Sequence, residues 1–410
     1  MLTSNESHRW ISRIRLQSPC ARLALAITLV SAFLVTLPMH ARNYGILHAF
    51  KRQADGGDPQ AGLLLSAKGD LYGTTFLGGD PACSCGTVFE VFPDGGFTVL
   101  YQFKGNDGAN PSAGLVADGD GNLYGTTSQG GRGPSGKGTV FKLTPPTAQR
   151  GHWTETVLHT FTGESDGASP YGSLVLDKAG NLYGTTSRGG VSNDGTVFMV
   201  DATSKESVLY SFTGSPDGAY PYGWLVRDDS GNLYGTTFEG GDSNYGTVFK
   251  LETTGAESVL HSFARGADGA YPNAGLTLDA SGNLYGTTNA GGDKTDDGVI
   301  FKVDSNTGAF RLLHTFAGTT NGSSPNAGLI VDDSGNLYGT TTEGGDRDYN
   351  GTIFKLDTGG GAFTVLFTFG GKAGSYPYAG LVRDSASNLY GTTEGAGAQS
   401  NGVVFKLNLK

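Results

Sequence analysis

The stretch Gly121–Thr127, GNLYGTT, decides the fold of this chain, although it holds no charge, no sulfur and no histidine. Its core, LYGTT, returns at seven sites, starting at Leu71, Leu123, Leu182, Leu233, Leu284, Leu337 and Leu389. The spacings are 52, 59, 51, 51, 53 and 52 residues. A fixed period of this size marks a repeat architecture, in which each unit buries its apolar face against its neighbours.

The third unit, residues 172–212, shows what one repeat contains. Four β patterns follow one another: SLVLD at 173–177, NLYGTT at 181–186, GTVFMV at 195–200 and SVLYSF at 207–212. Each is a short run of branched and aromatic residues bounded by Gly, Asn, Asp or Ser, as strands require. Four strands per unit is the count for a propeller blade.

The same slots recur in every unit. The first segment opens at Gly62, Gly114, Ser173, Trp224, Gly275, Gly328 and Gly380, each followed by Leu. The third carries Phe89, Phe141, Phe198, Phe249, Phe301, Phe354 and Phe405, and the fourth ends in Phe50, Phe103, Phe161, Phe212, Phe263, Phe316 and Phe369. Seven aromatic pairs in fixed slots imply seven equivalent packing layers between blades.

Phase shows how the ring closes. ILHAF at 46–50 is a fourth strand with no first three before it, and GVVFKL at 402–407 is a third strand with no fourth after it. The two fragments complete one another. The expected fold is all-β: a seven-bladed β-propeller of four-stranded blades, closed by the N-terminal strand pairing with the last blade, so that no blade keeps an open edge.

Turn chemistry agrees. DGDGN at 118–122, DKAGN at 177–181, DDSGN at 228–232, DASGN at 279–283 and DDSGN at 332–336 place an Asp cap and a left-handed Gly between first and second strands; the first unit departs, with SAKGD at 66–70. The alternating acids of DGDGN resemble a calcium loop, but the other copies replace the middle acid and the full ligand set is missing, so the segment reads as a turn.

Residues 1–41 differ from the rest. Arg9, Arg13, Arg15 and Arg22 precede an apolar run at 23–37 that ends at Pro38, with Met39–Ala41 as a cleavage point. This pattern is expected to be a signal peptide, and 42–410 a single propeller. An uncleaved anchor is the weaker reading, because a span needs about 20 apolar residues. Without residues 1–41 the chain carries −13 where the whole carries −10. Such acidity speaks against nucleic acid and anionic membrane surfaces as partners. Cys83 and Cys85 are then the remaining cysteines, and their closeness makes them incidental loop residues rather than a disulfide or a zinc set.

GNLYGTT, the GG that follows it and GTVFKL, repeated from Ile46 to Leu407, resemble the bacterial GloVer tandem repeat, named for Gloeobacter and Verrucomicrobia. The resemblance implies an exported, propeller-like protein and brings no activity that transfers residue by residue. It also implies a C-terminal anchor in many members, whereas this chain ends in FKLNLK. A monomer that is released or held by its N-terminus is therefore expected.

No residue set reads as catalytic, and no cofactor or metal is expected. His48, His159, His261 and His314 share one fourth-strand slot with Tyr101, Tyr210 and Phe367, which marks it as a packing slot. The loops from fourth to next first strand differ more. They read DGASPYG (166–172), DGAYPYG (217–223), DGAYPNA (268–274), NGSSPNA (321–327) and AGSYPYA (373–379). Around a constant proline they bring Tyr171, Tyr220, Tyr222, Tyr271, Tyr376 and Tyr378 to one rim, either as caps on the blades or as a stacking surface for a glycan or protein ligand. Trp224, where most copies have Gly, either fills space or narrows the channel mouth. The insertion at 144–156 belongs to the opposite face. These features point to an exported, non-catalytic scaffold with a binding face; a polysaccharide- or lactone-acting enzyme and a structural envelope protein are the alternatives.

Overall fold

The computed structural model describes residues 44–133, 136–147, 151–395 and 401–409. Residues 1–41, where a signal peptide is expected, lie outside the described residues. Among them are seven four-stranded antiparallel sheets, one per repeat. Blade 1 consists of Leu64–Leu65, Leu71–Thr75, Thr87–Val91 and Phe97–Gln102, and blades 2 to 6 repeat this order along the chain. Blade 7 takes three strands, Val382–Arg383, Leu389–Thr393 and Val403–Leu407, from the end of the chain, and its fourth, Tyr44–Ala49, from the beginning. Tyr44 is opposite Leu407, Ile46 opposite Phe405 and Ala49 opposite Val403, so the ring closes by strand pairing as its phase predicts.

Each fourth-strand Phe leaves its blade and packs on the third-strand Phe of the next. Phe103 meets Phe141 at 5.1 Å and Phe212 meets Phe249 at 5.1 Å, both edge-to-face. All these rings are fully buried, and the favourable edge-to-face quadrupole geometry adds to the area they remove from water.

The threonines of LYGTT form a second inter-blade contact. Thr74, Thr185, Thr236, Thr287, Thr340 and Thr392 each donate to a carbonyl just ahead of the next blade's first strand, as Thr236 does to Ala274 at 2.8 Å and Thr392 to Ala61 at 3.2 Å. The second threonine faces the third strand, where Thr75–Thr87 and Thr237–Thr247 share hydroxyl bonds of 2.9 and 2.8 Å. The motif's tyrosine donates to the turn aspartate, as Tyr234 does to Asp228 at 3.0 Å and Tyr390 to Asp384 at 3.0 Å.

Two expectations need correction. The first strands are two residues long, not five: Val175–Leu176 and Val226–Arg227 are examples. The residues before them turn inward after the proline, and their carbonyls accept from the previous blade's threonine instead of pairing within the sheet. Cys83 and Cys85 are not incidental; they are joined as a disulfide, with Cα atoms 5.2 Å apart. Ser84 between them has φ +53°, the left-handed turn that brings the two side chains together.

The histidine slot has more than a packing role. His48, His159 and His261 each lie 3.3 Å from an aspartate seven residues on, His314 lies 3.1 Å from Asn321, and Tyr101 and Tyr210 donate to Asp107 and Asp217 at 2.6 and 2.7 Å. The slot thus ties the fourth strand to the loop that follows. Where it holds Phe367, the loop has Ala373 in place of the acid, and the ring keeps its stack on Tyr44 at 4.2 Å, the counterpart of the stacks of His48 on Phe97 and His261 on Phe310.

Candidate ligand site at the channel mouth

The loop proline orders two residues with different fates. The residue before it has positive φ in every blade: Asp58, Asn110, Ser169, Tyr220, Tyr271, Ser324 and Tyr376 lie between +53° and +58°. This conformation is costly for a tyrosine. Two backbone bonds hold it: Tyr271 N–H donates to Tyr245 O at 2.9 Å, and Tyr271 O accepts from Asn289 N–H at 3.1 Å. The chain is thereby turned so that the residue after the proline faces the axis. Gln60, Ser112, Tyr171, Tyr222, Asn273, Asn326 and Tyr378, one from each blade, line a cavity of about 600 Å³ at the channel mouth.

Trp224 forms the floor of this cavity. Its indole lies across the next two blades: a Cβ on Gly275 would come within 2.4 Å of the ring, and one on Gly328 within 2.2 Å. Its Nε1–H donates to Leu276 O at 3.1 Å. The same ring lines a second cavity of about 630 Å³, walled by the first strands of blades 3 to 6. Trp224 therefore divides the channel into two compartments rather than merely narrowing it.

The walls are uneven. Tyr171 and Tyr222 meet edge-to-face at 5.5 Å, and Phe238, which follows the threonine pair of blade 4, meets Tyr222 at 5.5 Å. In the next two blades stand amides: Asn289 donates to Asn326 at 2.8 Å, Asn326 to Thr342 at 2.9 Å, and Asn273 to Asn326 at 3.3 Å and to Tyr378 at 3.4 Å. Gln60 donates to Glu394 at 3.2 Å. Ser112 Oγ is buried with no hydrogen-bond partner among the described residues.

Burial raises the hydroxyls of Tyr222 and Tyr378 above the usual tyrosine range, so both remain neutral donors. Glu394 is the carboxylate among the described lining residues. Burial raises it, the bond from Gln60 opposes this, and the charge of Asp58 adds to it. No group of three His, Cys, Asp or Glu side chains suited to a metal ion occurs among the described residues.

The expected tyrosine rim thus splits in two. Tyr171, Tyr222 and Tyr378 face the cavity, with Trp224 beneath them. Tyr220 stands outside it under Arg188, whose guanidinium is 5.0 Å from the ring; Tyr376 is exposed; Tyr271 stacks on Phe238 at 5.0 Å. Sequence reading missed Phe238, Asn289 and Glu394. All three follow LYGTT directly, where the copies read Phe, Ser, Ser, Phe, Asn, Thr and Glu, and that variation was the available signal.

Among solved structures the chain is similar to several proteins. It resembles the extracellular domain of a one component system from B. thetaiotaomicron, at TM-score 0.56 and 10% identity over 88% of this chain and 40% of that one. It resembles that of a hybrid two component system from the same organism, at 0.53 and 13% over 90% and 41%. The chain therefore spans about two fifths of these two proteins. Oligogalacturonate lyase from Vibrio parahaemolyticus matches at 0.55 and 13% over 91% of this chain and 95% of that one. At these identities the likeness is one of fold. No curated protein matches the sequence. The Gloeobacter/Verrucomicrobia repeat, by contrast, matches residues 30–249 and 223–410. With that match extending over all seven blades, the chain belongs to the Gloeobacter/Verrucomicrobia repeat family.

Proposed function

We propose that this protein is exported and binds a glycan at the channel mouth without converting it. The observation that carries the reading is the pairing of an aromatic wall, Tyr171, Tyr222 and Phe238 above Trp224, with an amide wall, Asn273, Asn289 and Asn326, in one cavity. Aromatic rings take the apolar faces of sugars and amides take their hydroxyls, while a cavity with a single acid suits a neutral ligand. Export is supported by the Arg-flanked apolar run at 23–37. A glycan array probed with the protein and with Tyr222→Ala tests this: binding by the parent and loss in the variant are expected. Binding that survives in Tyr222→Ala places the site elsewhere, and no binding leaves the structural envelope role.

The polysaccharide-acting alternative rests on Glu394, a raised acid in the cavity wall. It requires turnover of a polysaccharide that Glu394→Gln abolishes. Binding without turnover is the expected result.

A further inference from the structure

Four repeat slots bring aromatic residues together in one sector of the ring, while Phe76, Tyr376 and Tyr378 fill three of these slots elsewhere. The residue after the proline is aromatic at Tyr171 and Tyr222, the residue after the threonine pair at Phe238, the residue before the proline at Tyr271, and the residue before the third-strand Gly at Tyr245. In that last slot the other copies have Cys85, Lys137, Asp194, Asp297, Asn350 and Asn401. The scaffold asks for none of these rings, since other blades fold with Ser, Asn or Asp in the same places.

Together they make a continuous line. Tyr171 to Tyr222 is 5.5 Å between centroids, Tyr222 to Phe238 5.5 Å, Phe238 to Tyr271 5.0 Å and Tyr271 to Tyr245 5.5 Å. The line starts inside the cavity and ends outside it, where Arg265 lies over Tyr245 at 5.8 Å and pairs with Asp296 at 2.9 Å. All five rings are half-buried, so each is held and each keeps some surface in solvent. The inner end is blocked by Trp224 lying against Gly275 and Gly328.

We infer that the site takes the end of an oligosaccharide chain: a terminal sugar segment enters the mouth above Trp224, and the following sugars leave over Phe238, Tyr271 and Tyr245. This rests on the proposed glycan reading and adds direction and length to it. A floored cavity cannot be threaded by the middle of a chain, whereas a terminus can enter and meet both walls. The Asn273–Asn326 amides supply hydrogen bonds at the inner end. The rings outside supply stacking, which tolerates different sugars because it needs only an apolar face.

The chain has three tryptophans, Trp10, Trp153 and Trp224. Changing Trp10 and Trp153 to Phe makes Trp224 the sole indole reporter. This protein is titrated with neutral oligosaccharides of two to six sugars prepared from cellulose, xylan and mannan, and its fluorescence is followed. Trp224 emission is expected to change, with affinity rising as the chain lengthens. Tyr245→Ala and Tyr271→Ala are expected to weaken hexasaccharide binding by about three- to tenfold and leave the disaccharide unchanged; thermal melts verify that each variant is folded. A Trp224 response that is independent of length, with both variants binding as the parent does, overturns the track and leaves the mouth as a sugar site. Binding that never perturbs Trp224, or no binding by any of the oligosaccharides, overturns the track and the glycan reading together.

Discussion

Phe50, which follows the first described strand, packs edge-to-face on Phe89 of blade 1, with centroids 5.2 Å apart at 63°. The contact duplicates the one between Phe212 and Phe249 in the middle of the chain, at 5.1 Å and 68°. The junction where the ring is sealed is therefore built like any other. Phe50→Ala is expected to cost about 3–5 kcal/mol, as is Phe212→Ala, because each leaves a void between two blades. Denaturant titration measures both. Deleting residues 46–50 removes the closing strand as well and should lower the melting temperature sharply; an unchanged melt means that this strand does not seal the ring.

Thr236 tests the second inter-blade contact. Its hydroxyl donates to Ala274 O at 2.8 Å in a fully buried setting. Thr236→Val keeps the shape and leaves that carbonyl without its donor, a loss of about 1–3 kcal/mol. Thr236→Ser retains the hydroxyl and should recover part of it. Equal unfolding midpoints for the parent and the valine variant would show that the hydroxyl is dispensable.

Three acids at consecutive blade junctions give the fold a pH dependence. Glu155, Glu206 and Glu257 occupy one register position at the start of the fourth strand, where other blades have Phe97, Phe310, Phe363 or Tyr44. Each has a buried Oε1 without a hydrogen-bond partner among the described residues. Burial pushes Glu155 and Glu257 up to about 7 and Glu206 to about 6, helped by the charges of Asp107, Asp217 and Asp166 and opposed at Glu155 by Arg132. The folded state then holds protons that the unfolded chain releases near 4.5, so these acids lower stability as pH rises from about 4.5 to 7. His48, His159, His261 and His314 act in the other direction. Burial lowers each below 6.5, His314 to about 4, so protonation favours the unfolded chain as pH falls. Changing all three acids to Gln isolates their share. The variant should gain stability over the parent at pH 7.5 and lose that advantage by pH 4.5, as read from melts across this range. A constant difference would contradict the assignment.

Trp224 and Gly275 fit as a pair. Gly275→Ala puts a methyl within 2.4 Å of the indole and should destabilise by about 1–3 kcal/mol through overpacking. In a Trp224→Gly background the same alanine should cost far less, since Gly is the usual residue of that slot. A double-mutant cycle measures the coupling, and additivity within about 0.5 kcal/mol would show that the two do not share space.

The scaffold was legible in the sequence because it is repeated. LYGTT, the two phenylalanine slots and the unmatched strands at 46–50 and 402–407 specify seven blades and their closure. The threonines look like ordinary strand formers, yet their hydroxyls bind the next blade, and a contact between units leaves no mark within one unit. The Cys83–Cys85 pair was also hidden, because proximity in sequence argues against a disulfide until the left-handed turn at Ser84 is seen. At the site, the proline separates Tyr222, which faces the axis, from Tyr220, which does not; the two are equivalent by composition and are turned apart by the positive φ of Tyr220 itself. Phe238 escaped because its importance lies in convergence with residues from other slots.

The central claim is that the repeated residues make the scaffold and the departures at the mouth make the site. The most direct measurement replaces two departures by what other blades carry, Tyr222→Ser as at Ser112 and Phe238→Ser as at Ser128, and records the melt and the glycan-array signal of the same protein. A melting temperature within about 4 °C of the parent and loss of glycan binding are expected. A variant that keeps full glycan binding would contradict the claim.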